Sequence, residues 1–293
     1  MKPETVCTVV FSPTGTSKKI AETVARSIAS DAGTEAAALK TIDLTHAAAH
    51  SAALSAGAVA VIAAPVYGGH VAPTAAKRLE TLRGSGTPVG CEPAGGGAPP
   101  AVVIAVYGNR AFEKAAAELA ALAARQGFVP VAAAAFVGEH SYSTPETPVA
   151  AGRPDAQDLA RAAEFGAAVR KKLAAGTPAP VDAAKLKDVH TPLVPMLRFI
   201  RFVVGYRRRQ KKNPVVYLPA CDADRCTHCG RCAAICPTQA VARGDEAHTD
   251  PARCIRCCAC VKGCPVGARS FHTPFAAALT RSFTRRKQPV TIL

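Results

Sequence analysis

The stretch Cys226–Pro237, "CTHCGRCAAICP", puts four cysteines within eleven residues and closes on a proline. Thiols so closely set serve as disulfide partners, as a zinc site, or as ligands of a redox centre, and this stretch alone does not choose among them. A second stretch does. "CIRCCACVKGCP" (254–265) repeats the pattern, so that Cys226 and Cys254, Cys229 and Cys257, Cys232 and Cys260, and Cys236 and Cys264 are each separated by 28 residues. Both read C-x2-C-x2-C-x3-C-P, and the unit is an internal duplication.

Three cysteines spaced by two residues wrap one face of a cubane cluster, whose soft iron centres take thiolates. The run is the bacterial iron–sulfur spacing, in which the fourth cysteine serves the other cluster. Structural zinc instead sets two C-x2-C pairs well apart around one tetrahedral site. The duplication therefore predicts two [4Fe–4S] clusters. Residues 222–270 resemble the bacterial two-cluster ferredoxins. That resemblance implies crossed ligation, with Cys226, Cys229, Cys232 and Cys264 on one cluster and Cys254, Cys257, Cys260 and Cys236 on the other. Pro237 and Pro265 fix the chain just past each fourth ligand. Cys221 and Cys258 depart from the pattern and are read as non-ligands, with Cys7 and Cys91. Cys221 does make a plant-type C-x4-C-x2-C run with Cys226 and Cys229, which the duplication outweighs. His228 reads as a polar surface residue.

Working outward, the charge is unevenly placed. Residues 1–176 carry 16 Lys+Arg against 14 Asp+Glu, whereas residues 177–293 carry 20 against 7, so the net +15 belongs almost wholly to the C-terminal part. The asymmetry implies two units with different partners. The N-terminus "MKPETVCTVVFSPTG" shows no apolar leader pattern. No run of about 18 uncharged apolar residues suggests a membrane span. The expectation is a cytoplasmic protein, where 12 cysteines point to metal or redox chemistry rather than disulfides.

Residues 1–176 alternate short apolar runs with helical periodicity. "TVCTVVFS" (5–12), "AVAVIAAP" (58–65), "AVVIAVY" (101–107) and "FVPVAAAAF" (128–136) read as strands buried on both faces, with "EAAALKTIDL" (35–44) a weaker fifth. Amphipathic stretches between them, with Gly127 and Gly176 at helix stops, predict a doubly wound parallel sheet with ligands outside the strands' carboxyl ends. Residues 84–100 form a Gly/Pro loop whose Gly84-x-Gly86 is a poor dinucleotide fingerprint.

The loop after the first strand, "FSPTGTSKKIAETVA", gathers Ser12, Thr14, Gly15, Thr16 and Ser17 at a helix start. It suits a phosphate cradle or an ordinary capped helix equally well. It is not a nucleotide-triphosphate loop, because the glycine spacing fails. Two further loops, "APVYGGHVAP" and "VYGNRAFE", follow the third and fourth strands. With them, residues 1–175 resemble a flavodoxin, which implies FMN. Carried over, the first loop binds the flavin phosphate; Tyr67, Gly68 and Gly69 line one flavin face; Tyr107, Gly108, Asn109 and Arg110 line the other side. No Trp is available to stack, so tyrosine takes that place. In "FVGEHSYSTP" (136–145), Glu139, His140 and Tyr142 are either proton donors near a flavin or, as the favoured reading, polar stitches within the loop.

The expected division is a flavodoxin-like domain at 1–176, a basic Pro-punctuated linker at 177–219, a small α+β two-cluster ferredoxin domain at 220–275 and a basic tail at 276–293. "RFIRFVVGYRRRQKKN" (198–213) mixes seven basic residues with aromatics. It suits a solvated connection, a docking site for an acidic partner, or an anionic membrane surface, and no nucleic-acid motif accompanies it. The whole resembles bacterial flavodoxin–ferredoxin fusions. The resemblance implies an electron-transfer protein linking a low-potential donor to an acceptor through redox partner proteins. A flavin-dependent reductase fed by its own ferredoxin unit is the alternative.

Overall fold

The apolar runs have no polar face to offer water, so they must lie inside a sheet covered on both sides. The computed structural model, which describes residues 3–30, 37–46, 52–85, 97–176 and 178–293, shows that arrangement. The chain runs β1 (Thr5–Val10), α1 (Thr16–Ala29), β2 (Ala38–Asp43), β3 (Ala52–Leu54), β4 (Ala58–Tyr67), β5 (His70–Val71), α2 (Pro73–Leu79), β6 (Leu82–Gly84), β7 (Pro100–Tyr107), α3 (Ala115–Arg125), β8 (Val129–Val137) and α4 (Ala156–Ala174). It continues through α5 (Leu193–Lys212), β9 (Ala220–Cys221), α6 (Arg231–Ala234), α7 (Ala259–Lys262), β10 (Arg269–Ser270), α8 (Pro274–Ser282) and β11 (Val290–Ile292).

The parallel strands stand in the order β2-β1-β4-β7-β8. This is the flavodoxin-like order, with the direction of winding reversing between β1 and β4, and a crevice opens there at the carboxyl ends. Alternate residues of each strand feed two cores. Cys7, Val9, Ile62 and Val103 face α2 and α3, while Val6, Val61, Ile104 and Phe136 face α1 and α4. Helix α4 begins in a capping box between Asp155 and Asp158. Residues 86–96, which hold Cys91 and most of the Gly/Pro loop, lie outside the described residues, as do 35 and 36 at the start of the fifth predicted strand.

Two segments differ from the sequence expectation. The stretch expected as a linker contains the 20-residue helix α5. Its prolines do not prevent this: Pro192 is the N-cap and Pro195 lies in the first turn, where amide groups have no intrahelical partner. Upstream, Ala183 and Leu186 are buried against the sheet's core, and Val181 N–H donates to Pro130 O at 2.8 Å. The stretch expected as a basic tail is α8 followed by β11, which pairs antiparallel with β8 through Val290–Ala135 to Ile292–Ala133. The free edge of β8 would otherwise expose unpaired backbone, and the strand closes it. The cysteine unit is thus inserted into the α/β domain rather than appended to it.

Candidate functional site

The duplication seen in the cysteine spacing extends to the backbone. Left-handed φ values occur in pairs 28 residues apart: His228 and Arg256, Gly230 and Cys258, Gln239 and Gly267. The hydrogen bonds to sulfur repeat too, with Ala240 N–H donating to Cys236 Sγ and Ala268 N–H to Cys264 Sγ, both at 3.2 Å. Such donors favour a thiolate over a thiol.

Cys226, Cys229, Cys232 and Cys264 line one small cavity together with Glu246 and Arg269. Cys236, from the first run, lies within electrostatic reach of Cys254, Cys257 and Cys260. Each group therefore draws three cysteines from one run and the fourth from the other. Among the described residues no three His, Cys, Asp or Glu side chains converge tightly enough for a single metal ion. A four-iron cube takes one thiolate per iron and holds its ligands wider apart. Burial pushes the Cys257 thiol up to about 12, so a bare thiolate is unfavourable there and a bound metal would be needed to keep the sulfur deprotonated.

The remaining thiols fall elsewhere. Cys7 is buried in β1, its thiol pushed by burial to about 11. Cys221 sits beside Cys226 but does not line the cavity. Cys258 is buried in the position that Gly230 holds in the first run, with φ 57°. His228 points its ring outward, and its Nδ1 lies 3.2 Å from Glu246 Oε2. Sequence reasoning missed Arg269. Its guanidinium is buried, donates to Glu246 O at 2.6 Å and Thr249 Oγ1 at 2.6 Å, and lies 3.8 Å from Cys260 Sγ. It also acts electrostatically on Cys232, so one positive charge stands between the two cysteine groups. Only contacts across the fold reveal this, because an isolated arginine in a basic segment carries no signal.

The crevice at the sheet's carboxyl ends is a cleft of about 290 Å³. Ser12, Thr14, Thr16 and Ser17 line one end, and Tyr67, Gly68, Tyr107, Gly108 and Arg110 the middle. Gly15 makes the turn into α1 at φ 82° and acts through backbone alone. Ser12 Oγ accepts from Lys18 N–H at 3.0 Å, while the buried Ser17 Oγ has no partner. An orphaned hydroxyl beside the free amide groups of a helix start is what a bound phosphate would satisfy.

Of the expected flavin-facing residues, Asn109 and Gly69 do not line the cleft, and Tyr107, which borders it, turns its ring into the core. Tyr107 is only 2% exposed, and its ring packs edge-on against Phe112 at 5.5 Å in the core. Tyr107 is the last residue of β7, where strand alternation turns its side chain into the core layer. Asn109 is buried away from the cleft, and its Nδ2 donates to Phe283 O at 2.7 Å and Arg285 O at 2.9 Å. It holds the segment between α8 and β11. Gly69 is covered by the Glu113 side chain and is not a lining residue. Tyr67 does line the cleft, where burial and the nearby Cys257 raise its phenol.

Glu139, His140 and Tyr142 form the cleft's third wall. Glu139 accepts from Lys262 Nζ at 2.5 Å and Gly152 N–H at 3.0 Å. His140 lies over Gly108, where even a Cβ would come within 2.3 Å of its ring. Its Nδ1 accepts from Tyr142 N–H at 3.0 Å, and burial lowers its pKa to about 4. The imidazole is therefore neutral, with its proton on Nε2. All three residues make contacts that bind the loop.

The fourth wall comes from outside the parallel sheet. Phe199 of α5, Phe275 and Leu279 of α8, and Ile255 and Arg256 of the second cysteine run all line the cleft. Lys262 beside Glu139, and Arg78 of α2 donating to Pro237 O at 2.6 Å, fasten the cysteine unit against the sheet. These lining residues are far from the flavodoxin-like loops in sequence, so no local pattern announced them.

Comparison with protein families matches residues 222–242 and 247–270 to the 4Fe-4S binding domain, one match to each half of the duplication. No curated protein matches the chain. Among solved structures, the chain is similar to a flavodoxin from the domain Archaea, at 13% identity over 58% of this chain and 99% of that one, with TM-score 0.34. It is also similar to rubredoxin oxygen:oxidoreductase from Desulfovibrio gigas, at 13% identity over 59% of this chain and 37% of that one, with TM-score 0.36. An oxidoreductase from Corynebacterium diphtheriae gives 18% identity over 60% and 97%, with TM-score 0.33. The α/β fold class rests on the chain's own strand order.

Proposed function

We propose that this chain, a flavodoxin-like domain joined to a ferredoxin-type iron–sulfur unit, is an electron-transfer protein linking a low-potential donor to an acceptor by way of FMN. One observation carries the reading: Ile255 and Arg256, flanked by Cys254 and Cys257, line the same cleft as the Ser12–Ser17 loop and Tyr67. The iron–sulfur centres exchange electrons singly and FMN accepts one or two, so a protein holding both joins one-electron and two-electron couples.

The residues have distinct parts in this reading. Cys229 is exposed and brings the Cys226, Cys229, Cys232 and Cys264 group to the surface, where a redox partner protein docks. Cys257 and Cys260 are buried, so the Cys254, Cys257, Cys260 and Cys236 group excludes water and faces the cleft through Ile255. Ser12, Thr14, Thr16, Ser17 and the α1 amide groups take the FMN phosphate. Tyr67, Gly68, Gly108 and Arg110 border the ring. The basic balance of the C-terminal half suits an acidic partner.

A reductase acting on its own substrate would need an acid over the ring. Glu139 is held as a carboxylate by Lys262 and His140 is tied into the loop through Tyr142 N–H, which favours the carrier. The deciding measurement is the iron, sulfide and flavin content of anaerobically purified protein, followed by reduction with a one-electron donor. The expected result is about eight irons and about one FMN per chain, with internal equilibration and no turnover of small acceptors. Absence of FMN after reconstitution with excess flavin would overturn the reading.

A further inference from the structure

Helix α5 has two apolar faces and only one is covered. Phe199, Phe202, Val203 and Tyr206 pack on α8 and its end through Phe275, Leu279 and Phe283. Leu193, Leu197, Ile200 and Val204 recur at intervals of four, three and four along another face, which at 100° per residue is a single stripe. These four are 43–69% exposed. The stripe is about 16 Å long, and the exposed Val194, Val215 and Val216 extend the apolar surface.

Cations surround it. Arg198, Arg201, Arg207, Arg208, Arg209, Lys211 and Lys212 all lie on α5, and the sequence holds no Asp or Glu between Asp188 and Asp222. Among the described residues no carboxylate pairs with any of the seven. The helix's one amide is already engaged: Gln210 Nε2 donates to Tyr206 Oη at 2.7 Å and Val215 O at 3.0 Å, while its Oε1 accepts from Val215 N–H at 2.7 Å.

We propose that the outer face of α5 is a docking surface for an anionic membrane. A protein interface exchanges hydrogen bonds in both directions at a regular density, and the helix's one amide is already engaged. Arg198 donates to Arg281 O at 3.0 Å, and what the face otherwise offers is apolar side chains and cations without a carboxylate partner. That combination matches the boundary between acyl chains and anionic headgroups, which makes no directional demand. No helix among the described residues is long and apolar enough to cross a membrane, so α5 lies along the surface. The covered face of the same helix gives Phe199 to the cleft wall, so α5 would stand between the lipid and the cleft.

Sedimentation of the purified full chain with vesicles tests this. Vesicles of phosphatidylglycerol and phosphatidylcholine are expected to bind at least about tenfold more tightly than phosphatidylcholine alone, and about 0.5 M salt is expected to weaken that binding. Leu197→Glu with Ile200→Glu, both at exposed positions, removes the binding while iron content is unchanged. Arg207→Gln, Arg208→Gln and Arg209→Gln together weaken it and flatten its salt dependence. Absence of binding at low salt, or binding that survives the Leu197→Glu, Ile200→Glu pair, overturns the proposal. So does selective binding of a small acidic electron carrier through this face with no binding to vesicles. The outcome does not depend on flavin or iron content, so it stands or falls apart from the electron-transfer reading.

Discussion

The α/β domain and the cysteine unit are held together by different physics. The sheet is sandwiched between two continuous apolar cores built chiefly from β1, β4, β7, β8 and helices α1 to α4, and it needs no ligand to bury its surface. The cysteine unit's own core is Cys232, Val241 and Cys260 with Ala233 and Val261 against them, and its strands β9 and β10 are two residues each. So small a core does not offset the entropy of ordering the chain, and metal ligation takes its place. One half has a shape that hosts a cofactor, and the other has a shape that a cofactor makes.

The largest expected effect follows from that contrast. Iron chelation, or Cys232→Ser at a buried position proposed as a ligand, should abolish hydrogen-exchange protection across 222–270 while β1, β4, β7 and β8 keep theirs. Mass spectrometry of exchanged peptides reads both at once. Equal loss in both halves would show that the sheet depends on the iron centres, and the contrast would fail.

The same contrast explains what was legible in the sequence. The strands at 58–65, 101–107 and 128–136 announced themselves, because strands buried on both faces must be apolar throughout. The cysteine spacing was legible because ligand geometry permits few alternatives. Helix α5 was hidden by Pro192 and Pro195, which read as breakers although one is the cap and the other lies in the first turn. Strand β11 was hidden by its length of three residues, and it exists because β8 needs an edge partner. Within the site, the phosphate loop was legible as a strand-to-helix turn. The core-facing ring of Tyr107 follows from strand alternation, but alternation alone did not say which layer lay on which side. Ile255, Arg256 and Phe199 reach the cleft only through the packing of units far apart in sequence.

An intermediate effect tests how far the cleft belongs to the burial-driven half. His140 carries a pKa of about 4 because burial disfavours its charged form, whereas an unfolded histidine titrates near 6.5. Between those values the unfolded chain holds the extra proton. Stability is therefore fully present above about pH 6.5 and declines as pH falls toward 4, by about 3 kcal/mol over the span. Urea unfolding of the native protein and His140→Gln at pH 7 and pH 4.5 should show the loss in the native protein and most of it missing in the variant. Parallel declines would mean that His140 is solvated and that the loop over Gly108 is looser than the sheet beneath it.

The smallest effect concerns the seam between the halves. Lys262 and Glu139 are paired at 2.5 Å, each side chain 27% exposed. Burial alone would raise the Glu139 carboxyl, but hydrogen bonds from Lys262 and from Gly152 N–H outweigh it and hold the group below its ordinary value. Its contribution is thus present above the usual carboxylate range and lost as pH falls through the depressed value. A partly hydrated pair of this kind couples by about 1 kcal/mol or less. A double-mutant cycle with Glu139→Gln and Lys262→Met, read by denaturant unfolding, should return a coupling of that size. The seam would survive, because Arg78 still donates to Pro237 O and Ile255 still packs on the sheet's core. A coupling of about 3 kcal/mol, the range of a buried pair, would instead make this one ion pair the principal fastening between the two halves. The cleft's fourth wall would then depend on it.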